Sequence, residues 1–143
     1  MQKTKLINLA SNNLKNKDIK THQLDSELIL SDLLKKEREN LLINLDVEVS
    51  QRVVNQFNKK INRRSDKEPI AYILKKKEFW SKDFYVNKNT LIPRPETELL
   101  TESVIKMFKN KKIFFLDIGT GTGCIILSIL SDIKYSRGIG VDI

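Results

Sequence analysis

The sequence has one cysteine, one histidine and no apolar run near the roughly 18 residues of a membrane span. A single cysteine excludes an internal disulfide and a multi-cysteine zinc site, which suits a reducing cytoplasm. The start of the chain, from Met1 to Asn8, lacks the long apolar segment of a signal peptide, so a cytoplasmic location is expected. Glycine and proline are scarce and unevenly placed. All five glycines lie from Gly119 to Gly140, all three prolines from Pro69 to Pro95, and residues 1–68 contain neither. A stretch so free of helix breakers predicts a separate helical unit.

A length of 143 residues allows one domain or two small ones, and 40% apolar residues suffice for a core. The formal net charge of +8 permits an anionic partner. Its carriers, however, are mostly lysines dispersed along the chain. Dispersion predicts a solvated basic surface, or attraction to an acidic or RNA-rich partner, rather than a dedicated duplex-binding face.

In residues 3–16, Ile7, Ala10 and Leu14 recur at helical spacing. Asp25 to Leu34 predicts a second helix, Glu37 to Ile43 a short third, and Ser50 caps a fourth carrying Val54, Phe57 and Ile61. Pro69 then breaks the pattern. Ala71-Tyr72-Ile73-Leu74 and Lys77-Glu78-Phe79-Trp80 read as extended, with a turn at Ser81-Lys82 into Asp83-Phe84-Tyr85-Val86. In Leu91-Ile92-Pro93-Arg94-Pro95-Glu96-Thr97-Glu98, Pro95 suits the first position of a helix whose apolar stripe is Leu100, Val104, Met107 and Phe108.

The most informative stretch runs from Phe114 to Cys124. An apolar strand, Ile113–Asp117, is expected to be buried on both faces. It enters a loop with Gly119, Gly121 and Gly123, followed by a helix from Cys124. Strand, glycine loop and helix bring backbone N–H groups to a nucleotide-like ligand. Cys124 stands where a dinucleotide fingerprint wants its last glycine, which tilts the reading toward S-adenosylmethionine. Gly138 to Asp142 predicts a second strand, whose Asp142 is suited to accept both ribose hydroxyls. Asp117 is suited to brace the loop or hold the methionine end. The predicted contacts are Gly119, Thr120, Gly121, Thr122, Gly123 and Asp142, with Asp117, Arg94 and Thr97 as further candidates. The competing reading is a glycine turn in an unrelated α/β protein. His22 in its polar stretch reads as a surface residue, Cys124 as packing at a helix start, and Trp80 as core.

These residues resemble a known family, the HemK/PrmC-type glutamine methyltransferases that modify peptide-chain release factors. The resemblance rests on Arg63-Arg64, Glu68-Pro69-Ile70-Ala71-Tyr72-Ile73-Leu74, Glu78-Phe79-Trp80 and Phe84-Tyr85-Val86. It continues through Leu91 to Glu98, Leu116 to Gly123 and Val141-Asp142. It implies an α/β chain: a helical bundle at 1–68 that recognises release factors, a hairpin linker at 69–92, and a Rossmann-like methyltransferase domain beginning at 93–143. It also implies S-adenosylmethionine as cofactor and methyl transfer to the side-chain amide nitrogen of a Gly-Gly-Gln loop. Release factors are the implied partners, with no membrane, nucleic acid met only through the ribosome, and a monomeric state.

Two features depart from the family pattern. Lys75 stands where the family usually has glycine, and the Asn-Pro-Pro-Tyr motif that holds the target amide is absent, so no catalytic residue is assigned. The expectation is an N-terminal portion holding the first β-α-β unit of the domain, inactive alone. It would be a gene fragment, a frameshifted copy or half of a split enzyme. Two other readings stand beside it, a non-catalytic release-factor-binding module and an S-adenosylmethionine-dependent nucleic-acid methyltransferase.

Overall fold

The computed structural model describes residues 1–43 and 46–143, which form two compact units, Met1–Leu74 and Lys75–Ile143. The first is all helical: α1 (Lys3–Lys15), α2 (His22–Leu34), α3 (Arg38–Ile43), α4 (Gln51–Ser65) and α5 (Ile70–Leu74). Its core gathers the side chains that recur at helical spacing, among them Leu6, Leu14, Ile29, Leu30, Phe57 and Ile73. Ser50 caps α4 as its residue type predicts, its hydroxyl accepting from the Val53 amide at 3.4 Å.

Residues 71–74 are helical, which corrects the extended reading. The Pro69 carbonyl accepts from the Tyr72 and Ile73 amides at 3.0 and 3.3 Å, so the proline opens a helical turn. That turn carries Ile73 into the helical core. The helical unit therefore runs on to Leu74, past the expected boundary at 68. Lys75 follows with φ 59°, the left-handed region that favours glycine. A lysine thus keeps the turn geometry and bears its strain.

Three ion pairs brace the helices of this unit. Asp25 and Glu27 of α2 are buried. Asp25 accepts from Arg64 Nε at 2.7 Å, and Glu27 pairs with Arg38 at 2.6 Å. Asp32 binds Lys60 at 2.7 Å. They join α2 to α3 and α4 in one arrangement.

The second unit holds a hairpin, β1 (Lys76–Phe79) and β2 (Lys82–Tyr85), then α6 (Thr97–Phe108), β3 (Phe114–Ile118), α7 (Cys124–Asp132) and β4 (Arg137–Val141). The hairpin turns at Trp80-Ser81, with φ 53° and 55°, rather than at Ser81-Lys82. Two consecutive positive φ values are what a tight two-residue hairpin loop requires. Here the turn is held by Glu98, which accepts from the Trp80 amide at 2.8 Å, and by Asp132, which accepts from its indole at 3.0 Å.

β3 and β4 pair in parallel, Phe114 opposite Arg137 and Ile118 opposite Val141, with α7 as the crossover between them. Helix α7 contacts both strands and places Cys124, Ile126 and Ile129 inside. β3 is not buried on both faces: Phe114, Leu116 and Ile118 are 61%, 60% and 79% exposed. Alternation sends those three away from α7, and among the described residues nothing covers them. Helix α6 begins at Thr97, after a turn at Pro95-Glu96. It buries Thr101 and leaves Leu100 and Met107 of the predicted stripe exposed. Among the described residues no helix is long and apolar enough to cross a membrane.

Candidate cofactor-binding site

The glycine loop is built where β3 ends and α7 begins, at the carboxyl ends of both parallel strands. Pairing of β3 with β4 continues into it, because the Gly119 and Thr120 amides both donate to the Val141 carbonyl, at 2.8 and 3.1 Å. The loop then turns on Gly119, Gly121 and Gly123, at φ 76°, 54° and 75°. These values are rare for residues with a side chain, which explains the spacing of the three glycines. The Gly123 amide donates to Thr120 at 2.8 Å, and its carbonyl accepts from Leu127, opening α7.

Side chains lock this path from both sides. The Thr120 hydroxyl donates to Asp117 Oδ2 at 2.8 Å, so Asp117 braces the loop from within its own strand. Asp142, just past β4, accepts from the Gly121 amide through Oδ2 and from the Ile143 amide through Oδ1. Thus the structure brings Asp117, residues 119–123 and Asp142 together. Arg94 and Thr97 stand apart in their bonding. The Arg94 carbonyl accepts from the Thr97 amide at 3.0 Å. Arg94 forms no ion pair among the described residues, and neither side chain is hydrogen-bonded to the loop.

Sequence reasoning missed two supports. A Cβ at Gly140 would lie 2.6 Å from Thr120 Oγ1, and one at Gly138 would lie 2.7 Å from Ile126 Cδ1. The alternating glycines of β4 therefore admit the loop threonine and the crossover helix. Glycine inside a strand is the signal that marks such close approach. Glu98 is the second miss. It sits in the proline-bounded stretch but braces the hairpin turn.

The site suits a ligand with hydroxyls to donate and anionic groups to accept. A Cβ at Gly119 or Gly121 would meet nothing within 4 Å, so open space lies against this stretch of loop. The Asp142 oxygens retain acceptor capacity beyond the bonds they make, since each has more than one lone-pair direction. These features fit the adenosine and amino-acid ends of S-adenosylmethionine.

Residues 5–74 match the family model described as the PrmC N-terminal domain. Over 118 residues the chain is 42% identical to a release factor glutamine methyltransferase of Buchnera aphidicola subsp. Schizaphis graminum, covering 82% of this chain and 43% of that one. The corresponding protein of Leptospira interrogans is also 42% identical over 118 residues, covering 81% of this chain and 41% of the relative. A bifunctional methyltransferase of Rickettsia typhi is 33% identical over 157 residues, covering 96% and 30%. The chain spans less than half the length of these curated relatives.

Proposed function

We propose that the chain, whose residues 5–74 match the PrmC N-terminal domain family model, serves release-factor glutamine methylation. In this reading the helical unit docks the release factor, and the loop from Gly119 to Gly123 with Asp142 holds S-adenosylmethionine. The observation that carries the reading is the paired lock on the loop, Thr120 onto Asp117 and Gly121 onto Asp142.

Each residue has a stated task. Gly119 and Gly121 keep their backbone clear of side chains so that a ligand can approach closely, while Gly123, packed against Leu127, starts α7. Asp142 accepts hydroxyl hydrogens of the ribose, and Thr122 lines the loop between two glycines. Asp117 and Thr120 spend their side chains on each other and act by positioning. When bound, the cofactor supplies an electrophilic methyl group on a sulfonium. The side-chain amide nitrogen of a Gly-Gly-Gln loop is a weak nucleophile, so what this chain contributes is alignment of the two partners. Arg94 and Thr97 are proposed as further contacts at the head of α6.

The 143 residues contain no Asn-Pro-Pro-Tyr, and by themselves they are expected to bind rather than to turn over. A non-catalytic release-factor-binding module is the second reading, favoured by the closed core of the helical unit and the open sheet face of the second unit. The test adds purified residues 1–143 to a release factor with methyl-labelled S-adenosylmethionine. We expect a complex with the release factor and no label on its glutamine. Methylation at the rate of full-length relatives contradicts the inactivity of this chain, and absence of a complex contradicts the docking role.

A further inference from the structure

Four of the dispersed lysines meet at one place in the second unit. A cavity of about 600 Å³ lies at the amino ends of β3 and β4, opposite the glycine loop. It is lined by Lys109, Lys111, Lys112, Lys134, Asp132 and Tyr135. The walls are tied together. Ser136 accepts from the Ile113 amide at 3.1 Å and donates to the Lys111 carbonyl at 3.4 Å, joining the segments that precede the two strands.

Helix C-termini attract lysines without any ligand. Helices α6 and α7 both end here, and together they present about one negative charge. Asp132 adds one more, although its carboxylate is already bound by the Trp80 indole and by Ser131. Four lysines therefore leave an excess of about two positive charges. None of the four forms an ion pair among the described residues. Lys111 lies over the Phe108 ring, 5.4 Å from its centroid. Tyr135 is 83% exposed and held at φ 64°, an aromatic face displayed beside the lysines.

We propose that this cavity binds single-stranded nucleic acid, with the lysines tracking phosphates and Tyr135 stacking on a base. Lysines are point charges without the forked geometry that reads bases, and one stacking face accepts any base, so binding is sequence-tolerant. The proposal is independent of the cofactor and release-factor assignments above.

The test is fluorescence anisotropy of a labelled 12-nucleotide uridine RNA with residues 1–143, without cofactor or release factor, across a salt series. The wild-type chain should bind, more weakly as salt rises. The combined change of Lys109, Lys111, Lys112 and Lys134 to Gln should weaken binding at least tenfold. It should also flatten the log–log salt slope by roughly 3, at about 0.7 per lost phosphate contact. Tyr135→Ala should weaken binding about fivefold and leave the slope unchanged. Lys15→Gln with Lys17→Gln on the helical unit removes charge elsewhere and should change affinity by less than twofold. Circular dichroism checks that each variant is folded. Absence of RNA binding, equal binding by the four-lysine variant, or an equal loss in the Lys15/Lys17 control overturns the proposal. So does binding to phosphatidylserine vesicles without binding to RNA.

Discussion

The helical unit and the α/β unit bury their apolar side chains to different degrees. In the first, Phe57, Leu14, Ile29 and Leu30 are wholly enclosed by five short helices. In the second, α7 covers one face of the two-stranded sheet while Phe114, Leu116 and Ile118 stand exposed on the other. A helix satisfies its backbone internally, so a few amphipathic helices close a core early in a chain. A parallel strand needs neighbours on its edges and cover on both faces. Even so, the glycine loop is fully formed. Its path is set by the β3–β4 pairing, by the start of α7 and by two carboxylates, none of which requires the open face to be covered.

Core truncation should separate the two units most clearly. Phe57→Ala should destabilise the helical unit by about 3–5 kcal/mol, measured as loss of helical ellipticity in urea. Leu116→Ala should change the stability of the second unit by under about 0.5 kcal/mol. Equal costs would mean that the two units are packed alike. Buried charge gives a second contrast. Arg64→Leu leaves the buried Asp25 without its cationic partner, and should cost about 3–5 kcal/mol. Arg63→Leu removes only an exposed pair with Glu68 and should cost under about 1 kcal/mol.

Strain at the junction is worth less. Lys75→Gly should stabilise the chain by about 1 kcal/mol, because glycine adopts φ 59° without steric cost. A destabilisation in urea would show that the lysine side chain, not the backbone, matters there.

The smallest effects are at acid pH. Burial alone raises the Asp32 pKa, but hydrogen bonds from Lys60 and Lys35 outweigh it and hold the carboxyl below its ordinary 3.8. The Trp80 indole likewise lowers Asp132, opposed by slight burial and aided by Ser131 and Lys82. In both, the unfolded chain takes up the proton first. Their stabilisation is thus full above about 3.8 and fades as pH falls through the lower folded value. Asp32→Asn should lower stability at pH 7 yet leave it unchanged near pH 2, read by ellipticity. Asp132→Asn should do the same to the Trp80 fluorescence transition. Trp80 is the chain's only tryptophan, so the two signals separate the units.

Much of the fold is legible in the sequence. The spacing of Ile7, Ala10 and Leu14, the cap at Ser50 and the three loop glycines are local signals, and each stands where its chemistry predicts. Pro69 was ambiguous, since proline both ends a helix and opens one, and only the burial of Ile73 decides between them. The apolar run at β3 shows that a strand is present but not how many neighbours cover it. Asp25 and Arg64 are 39 positions apart, so their pairing has no local signature. The fit of Gly140 against Thr120 is tertiary as well, although a glycine inside a strand hints at it. Of the candidate site, the loop and Asp142 were readable from spacing. Spacing alone does not divide the tasks between Asp117, which bonds Thr120, and Asp142, which accepts from the Gly121 amide.

The proposed binding of S-adenosylmethionine by Gly119 to Gly123 and Asp142 is open to direct measurement. Backbone amide NMR of residues 1–143 titrated with S-adenosylmethionine tests it most directly. Shifts should concentrate at residues 119–123 and 142, and titration should be at least tenfold weaker in Asp142→Ala. Shifts centred elsewhere, no shifts at saturating cofactor, or an unchanged affinity in Asp142→Ala would contradict it.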